Sequence, residues 1–386
     1  MNIAIAGAGV AGLTVAALLA RAGRKVTVFD KLPKPSPVGS GLIVQPVGQA
    51  VLRAMGLIEA VEHRAAPLRK LNALNTAGRT VLDVRYDALG PEIYGFGIHR
   101  AALFDILFEA ARESGAAFEP DREIADVETA DSGLALKFID SSLSSRFDLI
   151  IDALGVRSPL VDRKDAFLAF GALWTNIPMP DDPHFSPDEM TQRYKSADCS
   201  AGVMPIGEGR AALFWTLRQD AYAQWRCNGL EAWKGDMVRL WPEVRPCLDH
   251  LDDPDQLIFA RYAHDTCPAP VEGRLVHIGD AWHAASPQLG QGANMALLDA
   301  SALASALENE IDADKALARF LKTRAAHVRL FQAISWAFTP IYQSESKLLP
   351  ALRDLLAGPV SVAPFMPKFL AAMVSGQLNL APTIQP

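Results

Sequence analysis

The sequence predicts an α/β protein: a domain on a parallel sheet, interleaved with a smaller antiparallel-sheet domain and followed by a helical C-terminal region. Three observations carry this. Residues 2–30, NIAIAGAGVAGLTVAALLARAGRKVTVFD, pass from an apolar strand through a glycine-punctuated turn and an apolar helix to a second strand, a βαβ unit whose strands run parallel. A second strand-to-helix passage, RLVHIGDAWHAASPQLGQGANMALLDA, comes late in the chain. Between them, from about 165 to 265, short apolar segments separated by turn residues replace the strand–helix alternation.

Taken in order, residues 2–6 form the first strand, the helix runs to about Ala22 before Gly23, and KVTVFD is the second strand, ending in Asp30. KLPKPSPVGSGLIVQP, residues 31–46, is rich in proline and glycine and predicts an extended loop. GQAVLRAMGLIEAVEHR reads as helix, and RKLNALNT with RTVLDVRY as a hairpin around Ala-Gly. IHRAALFDILFEAARES has apolar residues at helical spacing. EIADVETADSGLALKFID predicts two strands joined at Asp131–Gly133, and RFDLIIDALG a buried strand ending at Gly155. FLAFGALWTNI, EMTQRYK, CSAGVMPIG, GRAALFWTLR and DQLIFARYAH are strand candidates, with short helices near 220–240. RLVHI, almost without polar alternation, predicts a central parallel strand, and beyond residue 290 the chain is mostly helical, with a long helix from Asp312 to about Trp336.

Composition narrows the function. The net charge is -7 and no Lys/Arg cluster forms a stripe, which excludes a nucleic-acid binder. Cys199, Cys227, Cys247 and Cys267 show neither CxxC nor metal-ligand spacing, so no metal is expected and the thiols read as free in a reducing compartment. The apolar first twenty residues lack a basic flank and carry three glycines, so they read as strand, turn and helix, not a signal peptide. No apolar run reaches spanning length, and a cytoplasmic protein without an integral membrane segment is expected. PFMPKFLAAMVSGQ, near the end, is an apolar helix candidate for which packing on the core is the plainer reading and a dimer face or a membrane contact the others; it lacks the basic face of a membrane-surface helix.

The chemistry lies in the two strand-to-helix turns. Gly7, Gly9 and Gly12 form GxGxxG: the first permits the tight turn, the second lets backbone approach a pyrophosphate, the third lets the helix pack on the strand. The helix N-terminus offers free N–H groups to phosphate, and Asp30 stands where an acid accepts from ribose hydroxyls. This Rossmann-like pattern does not separate NAD from FAD. In the late turn, Asp280 closes a strand at its carboxyl end, and Gly290 and Gly292 precede a helix. Small residues there admit a flat ligand, and the helix dipole favours negative charge on it. A flavin gathers such charge on reduction, so the two turns would grip one FAD at its two ends.

GDAWHAASPQLGQGAN resembles the GDxxH…P…GxGxN motif of the group A FAD-dependent aromatic hydroxylases, the para-hydroxybenzoate hydroxylase-like flavoprotein monooxygenases. Arg100 in IHRAALFDIL resembles their FAD-contacting helix-start arginine, and the order of motifs matches over about residues 1–340. The resemblance implies FAD held by Gly7, Gly9, Ala11, Gly12, Asp30, Lys31 and Arg100, with Ile124 as a backbone contact to adenine. It implies Asp280 on the ribityl chain, Gly290, Gly292, Ala293 and Asn294 along the flavin pyrimidine edge, and Pro287 beside the ring where oxygen reacts. Pro287 is the only residue offered near the chemistry, and no catalytic side chain is assigned. NADPH or NADH would reduce FAD, and a flavin C4a-hydroperoxide would hydroxylate a small phenolic or N-heteroaromatic substrate with O2.

The resemblance also implies the domain division: residues 1–70, 95–160 and 270–335 bind FAD, 71–94 and 161–269 hold substrate, and 336–386 form the helical end of a monomer or homodimer. Trp174, Met204, Phe214 and Trp215 are candidate substrate walls, each with a core residue as the plainer reading. His283 reads as structural, His99 as a helix-start residue, and His264 and Asp265 as surface residues of a loop before a strand. The chain departs from the family at IIDALGVRSPLV, where Leu154 replaces an aspartate associated with FAD and nicotinamide pyrophosphate. Asp152 stands two positions early, and Arg157 and Ser158 are the candidates to compensate. The departure keeps a second reading open, a same-fold flavoprotein that does not hydroxylate: a reductase, a cyclase or an FAD-binding sensor.

Overall fold

The computed structural model describes residues 1–33, 40–130, 133–163 and 166–378. The first sheet has six strands, in the order Val271–Glu272, Leu275–His277, Leu149–Asp152, Asn2–Ala6, Lys25–Phe29, Ala117–Glu119. All neighbours run parallel except the short edge pair Val271–Glu272 with Leu275–His277. Helices Val10–Arg21, Arg100–Glu113 and Gly292–Asn309 cover one face. The antiparallel pair Ile124–Ala130 and Gly133–Phe138 covers the other, where Phe29 packs on Phe138 and Phe147. Burial on both faces is why the central strands Asn2–Ala6 and Leu149–Asp152 are almost wholly apolar. RLVHI is buried as expected but lies next to the edge strand, not at the centre.

The second sheet has seven strands, in the order Ile258–Ala263, Phe167–Pro178, Arg210–Arg218, Ser200–Gly207, Glu189–Tyr194, Lys70–Asn75, Thr80–Arg85. It is antiparallel except that Lys70–Asn75 pairs in parallel with Glu189–Tyr194. One face packs on helices Tyr222–Asn228 and Leu230–Leu240 through Leu213, Trp215, Trp225 and Trp233. The other face lines a cavity shared with the carboxyl ends of the parallel strands.

Several expectations shift in detail. Gly41–Val44, expected as loop, is a strand that pairs with Gly95–His99, which in turn pairs with Ala66–Leu68. This small sheet packs against the seven-stranded sheet: a Cβ on Gly97 would lie 2.0 Å from the Pro205 carbonyl oxygen, so only glycine permits the approach. The rest of the 31–46 loop prediction, residues 34–39, and the Asp131–Ser132 joint lie outside the described residues. The helix over GQAVLRAMGLIEAVEHR is two, Pro46–Ala54 and Ile58–Arg64, broken at Gly56 (φ 73°). The long helix is Ala313–Tyr342, started by Asp312, whose carboxylate accepts from Asp314 N (2.8 Å) and Lys315 N (3.1 Å). Leu348–Ser361 and Met366–Ser375 complete the chain's described part.

Candidate active site

A cavity of about 1530 Å³ runs between the carboxyl ends of the parallel strands and the inner face of the seven-stranded sheet. At one end stands the first turn. Gly7, with φ 101°, donates its N–H to the Phe29 carbonyl at 2.8 Å. A Cβ on Gly12 would lie 2.0 Å from the Gly7 carbonyl oxygen, whereas one on Gly9 would meet nothing within 4 Å. Gly12 thus serves packing and does not line the cavity, and Gly9 leaves open space beside the start of helix Val10–Arg21. That helix start has no side-chain cap, so its N–H groups are free for an anion. Asp30 accepts from Ala8 N (2.8 Å) and Leu32 N (2.9 Å), which fixes its carboxylate at the cavity wall with lone pairs to spare. Ala11, Lys31 and Ile124 line this end, as does Arg100, which has no acid partner among the described residues.

At the other end the late turn closes the wall. Asp280, Pro287, Gly290, Gly292 and Ala293 all line the cavity. Gly290 has φ 61°, and helix Gly292–Asn309 again starts without a side-chain cap. The Asp280 carboxylate faces the cavity; surrounding protein pushes its pKa up, against the pull of His283, Arg100 and Arg163. Asn294 does not reach the cavity. It is fully buried, donating to the carbonyls of Ile43 (3.0 Å) and Gly290 (2.9 Å) and accepting from Gln45 N (2.8 Å). It therefore ties the glycine turn to strand Gly41–Val44.

Three residues that sequence reasoning missed complete this end. Gln45 lines the cavity with a buried Nε2 that has no protein partner, while its Oε1 accepts from Tyr86 OH at 2.7 Å. Arg163 donates to the Asp280 carbonyl (2.9 Å) and that of Ala281, and pairs with Asp265 at 3.0 Å. Asp299, wholly buried, accepts from Gly279 N (2.9 Å), from His283 Nε2 (2.6 Å) and from Arg324 Nε (2.7 Å). Burial raises its pKa, but His283 and Arg324 overcome this and hold it at about 2. His283 is therefore a structural partner of a buried carboxylate. His99 is likewise structural, its Nδ1 accepting from Ala101 N at the helix start. No spacing rule joins residues 279, 283, 299 and 324; only the fold does.

His327 extends this network, its Nδ1 lying 2.8 Å from Arg324 Nη1. Facing a guanidinium donor, it is an acceptor and neutral. Burial, then Arg324, lowers its pKa from 6.5 to about 4. A base with a depressed folded pKa leaves the unfolded chain binding more protons between the two values. Stability is thus complete above about pH 6.5 and falls as pH drops toward about 4. His327→Gln is expected to flatten that part of the pH–stability curve; an unchanged acid limb in urea melts would refute it.

The sheet side forms the remaining wall. Trp174, Met204 and Phe214 line the cavity, and Trp174 Nε1 donates to Tyr262 OH at 2.9 Å. Trp215 does not. Adjacent strand residues point to opposite faces, so with Phe214 inward Trp215 packs in the far core against Trp233, ring centroids 6.5 Å apart. Asp152 also faces away from the cavity: it is fully buried, bound by Ser158 Oγ (2.6 Å), His277 Nδ1 (2.7 Å) and Leu154 N (2.9 Å). Of the residues near the departure, Leu154 and exposed Arg157 line the cavity, and Ser158 is spent on Asp152.

Two uncapped helix starts, a glycine cradle, an unpaired Arg100 and an orphaned amide at Gln45 therefore share one elongated cavity, and these residues fit a dinucleotide with a flat head group. Fold and cavity define a flavoprotein. A family model described as FAD binding domain matches residues 1–332. The aurachin C monooxygenase/isomerase of Stigmatella aurantiaca is 27% identical over 372 residues, 92% of this chain and 93% of that protein. The 3-amino-4-hydroxybenzoate 2-monooxygenase of Streptomyces cremeus is 29% identical over 320 residues, 80% of this chain and 79% of that protein. The solved structure of Klebsiella pneumoniae HpxO complexed with FAD and uric acid superposes with a TM-score of 0.79 at 21% identity, covering 97% of both chains. The chain belongs to this FAD-binding family, among the group A FAD-dependent aromatic hydroxylases; it is an FAD-dependent monooxygenase, an oxidoreductase with FAD as cofactor.

Proposed function

We propose that this monooxygenase hydroxylates a small phenolic or N-heteroaromatic substrate with O2 and a nicotinamide donor. The observation that carries the reading is the single cavity that joins the two uncapped helix starts to the Trp174–Met204–Phe214 wall. FAD, when bound, supplies the electron transfer and oxygen activation. Gly7, Gly9, Ala11, Asp30, Lys31, Arg100 and Ile124 would hold its adenine and pyrophosphate half; Asp280, Pro287, Gly290, Gly292 and Ala293 would border its flavin half. The free N–H groups at Gly292 favour an anionic ring, as preorganised dipoles do without reorganisation. The apolar sheet wall orients an aromatic ring and keeps water from the reacting face. Similarity to relatives named for aromatic and heteroaromatic substrates supports this class, among them a 6-hydroxynicotinate 3-monooxygenase of Pseudomonas fluorescens.

The test is anaerobic mixing with NADPH and with NADH, following the visible flavin spectrum with and without a panel of phenols and hydroxypyridines. Bleaching that one aromatic accelerates is expected. Flavin that neither nicotinamide reduces under any condition would favour the non-hydroxylating alternative. Two substitutions sharpen the reading. Asp280→Ala removes a charged acceptor and is expected to weaken FAD binding by about 10–100-fold in a fluorescence titration of apoprotein. Arg157 is the exposed cation beside Leu154, where the family aspartate is missing. Arg157→Ala is expected to raise the KM for the nicotinamide about tenfold with little change in kcat; an unaltered KM would remove Arg157 from donor binding.

A further inference from the structure

The end of the chain has a face that the reaction does not use. Helices Leu348–Ser361 and Met366–Ser375 meet at 109°. Their inner side packs on the body of the protein: Ala371, Met373 and Val374 are buried, and Met373 and Val374 reach the cavity wall. Their outer side exposes Leu348, Leu352, Leu355, Leu356, Phe365 and Phe369, with Phe365 89% exposed at the bend. Phe365 is also one of the few non-glycine residues with positive φ, at 67°. Such a conformation costs a bulky side chain energy and persists where something is gained by it.

The charge pattern says what covers this face. From Leu348 to Pro386 the only charged side chains are Arg353, Asp354 and Lys368. Arg353 is buried, pairs with Asp354 at 2.8 Å and stacks on the rings of Tyr194 and Tyr342, so neither charge serves the outer side. What remains is Lys347 at one end of the apolar face and Lys368 near the other, both exposed and without an acid partner among the described residues. In a protein of net charge -7, the unpaired exposed charges beside this apolar face are two lysines, and the neighbouring acid Glu345 is paired with Arg218.

We propose that this helical pair docks on an anionic lipid surface, Phe365 leading into the acyl boundary and Lys347 and Lys368 meeting the headgroups. An apolar face flanked by cations is the pattern of helices that lie in a membrane interface. No single helix is long and apolar enough to cross a membrane; the two helices together have the length and apolarity of a span, but their inner side is packed on the body of the protein, which leaves the outer side for a contact at the surface. Phe365, at the 109° bend, is the most exposed of these apolar side chains and the one placed to enter the acyl boundary first. The docking does not depend on the reaction.

The experiment is flotation of the FAD-loaded protein with vesicles of equal parts phosphatidylcholine and phosphatidylglycerol, beside vesicles of phosphatidylcholine alone, with solution mass measured by light scattering. Co-flotation is expected with the mixed vesicles, weaker with the neutral ones and weakened by salt. Leu355→Glu with Phe365→Glu should reduce the bound fraction about tenfold or more at unchanged solution mass and flavin content. Should that pair impair folding, Lys347→Glu with Lys368→Glu, at two exposed positions, should still abolish the preference for anionic vesicles. Absence of flotation with either vesicle overturns the proposal. So does a dimer that Leu355→Glu and Phe365→Glu convert to monomer, because a second copy then covers the face.

Discussion

Replacing Asp299 with asparagine is expected to cost about 3–5 kcal/mol of stability and to release FAD. The carboxylate is wholly buried and compensates Arg324, itself wholly buried. An amide of the same shape removes the charge and leaves the guanidinium uncompensated in a medium that cannot solvate it. The amide also cannot accept from Gly279 N, His283 and Arg324 with both of its heavy atoms, because one is a donor. Since Gly279 immediately precedes Asp280, loss of the network should loosen the flavin-side turn as well as the helices Gly292–Asn309 and Ala313–Tyr342 that it joins. The midpoint of urea denaturation and the flavin-to-protein absorbance ratio read both effects. Asp299→Leu with Arg324→Met should recover much of the stability, because removing both charges is far less costly than orphaning one. A single variant that melts like the parent would show that the pair is not holding this region.

Gly12→Val is expected to yield protein without flavin and destabilised by about 1–3 kcal/mol or more, the cost of overpacking a tight contact. Its Cβ would sit 2.0 Å from the Gly7 carbonyl oxygen and 3.3 Å from the Ala153 Cβ, so helix Val10–Arg21 must move off the sheet. The N–H groups at its start then leave the position that faces the cavity. Gly9→Ala makes the contrast. Its Cβ meets no protein atom within 4 Å, so the fold should melt as the parent does. That methyl enters the cavity instead, and FAD affinity should fall. Thermal melts of the apoproteins and fluorescence titration with FAD separate the two cases. Equal loss of stability in both variants would show that the glycines serve the turn alone.

The βαβ unit was legible because its cause is local. Glycine spacing, an apolar helix and a strand ending in Asp30 sit within thirty residues, and each follows from backbone sterics and burial. The late turn was legible for the same reason: Asp280, Pro287, Gly290 and Gly292 each mark a nearby chain reversal or helix start. Period-two alternation is equally local, and it separates Phe214 from Trp215, since neighbours on one strand cannot share a face. Phe214 faces the cavity, so Trp215 belongs to the far core.

What only the tertiary structure decided are the pairings between distant segments. Asn294 looked like a flavin-edge residue from its motif, but its amide is consumed by Ile43, Gly290 and Gln45, and the small sheet that supplies the first of those partners was not expected. Asp152 stood near the missing aspartate in sequence, but the fold turns it inward to Ser158 and His277. Arg163 and Arg324 carried no signal at all, because a lone arginine reveals its partner only when the chain brings a carbonyl or carboxylate to it. Local conformation and burial, set by residues a few positions apart, determined the class of fold and the two glycine-bearing turns at the ends of the cavity. Long-range hydrogen bonds and charge compensation, which depend on which segments meet, decided which of the marked residues face the cavity and which ones brace it.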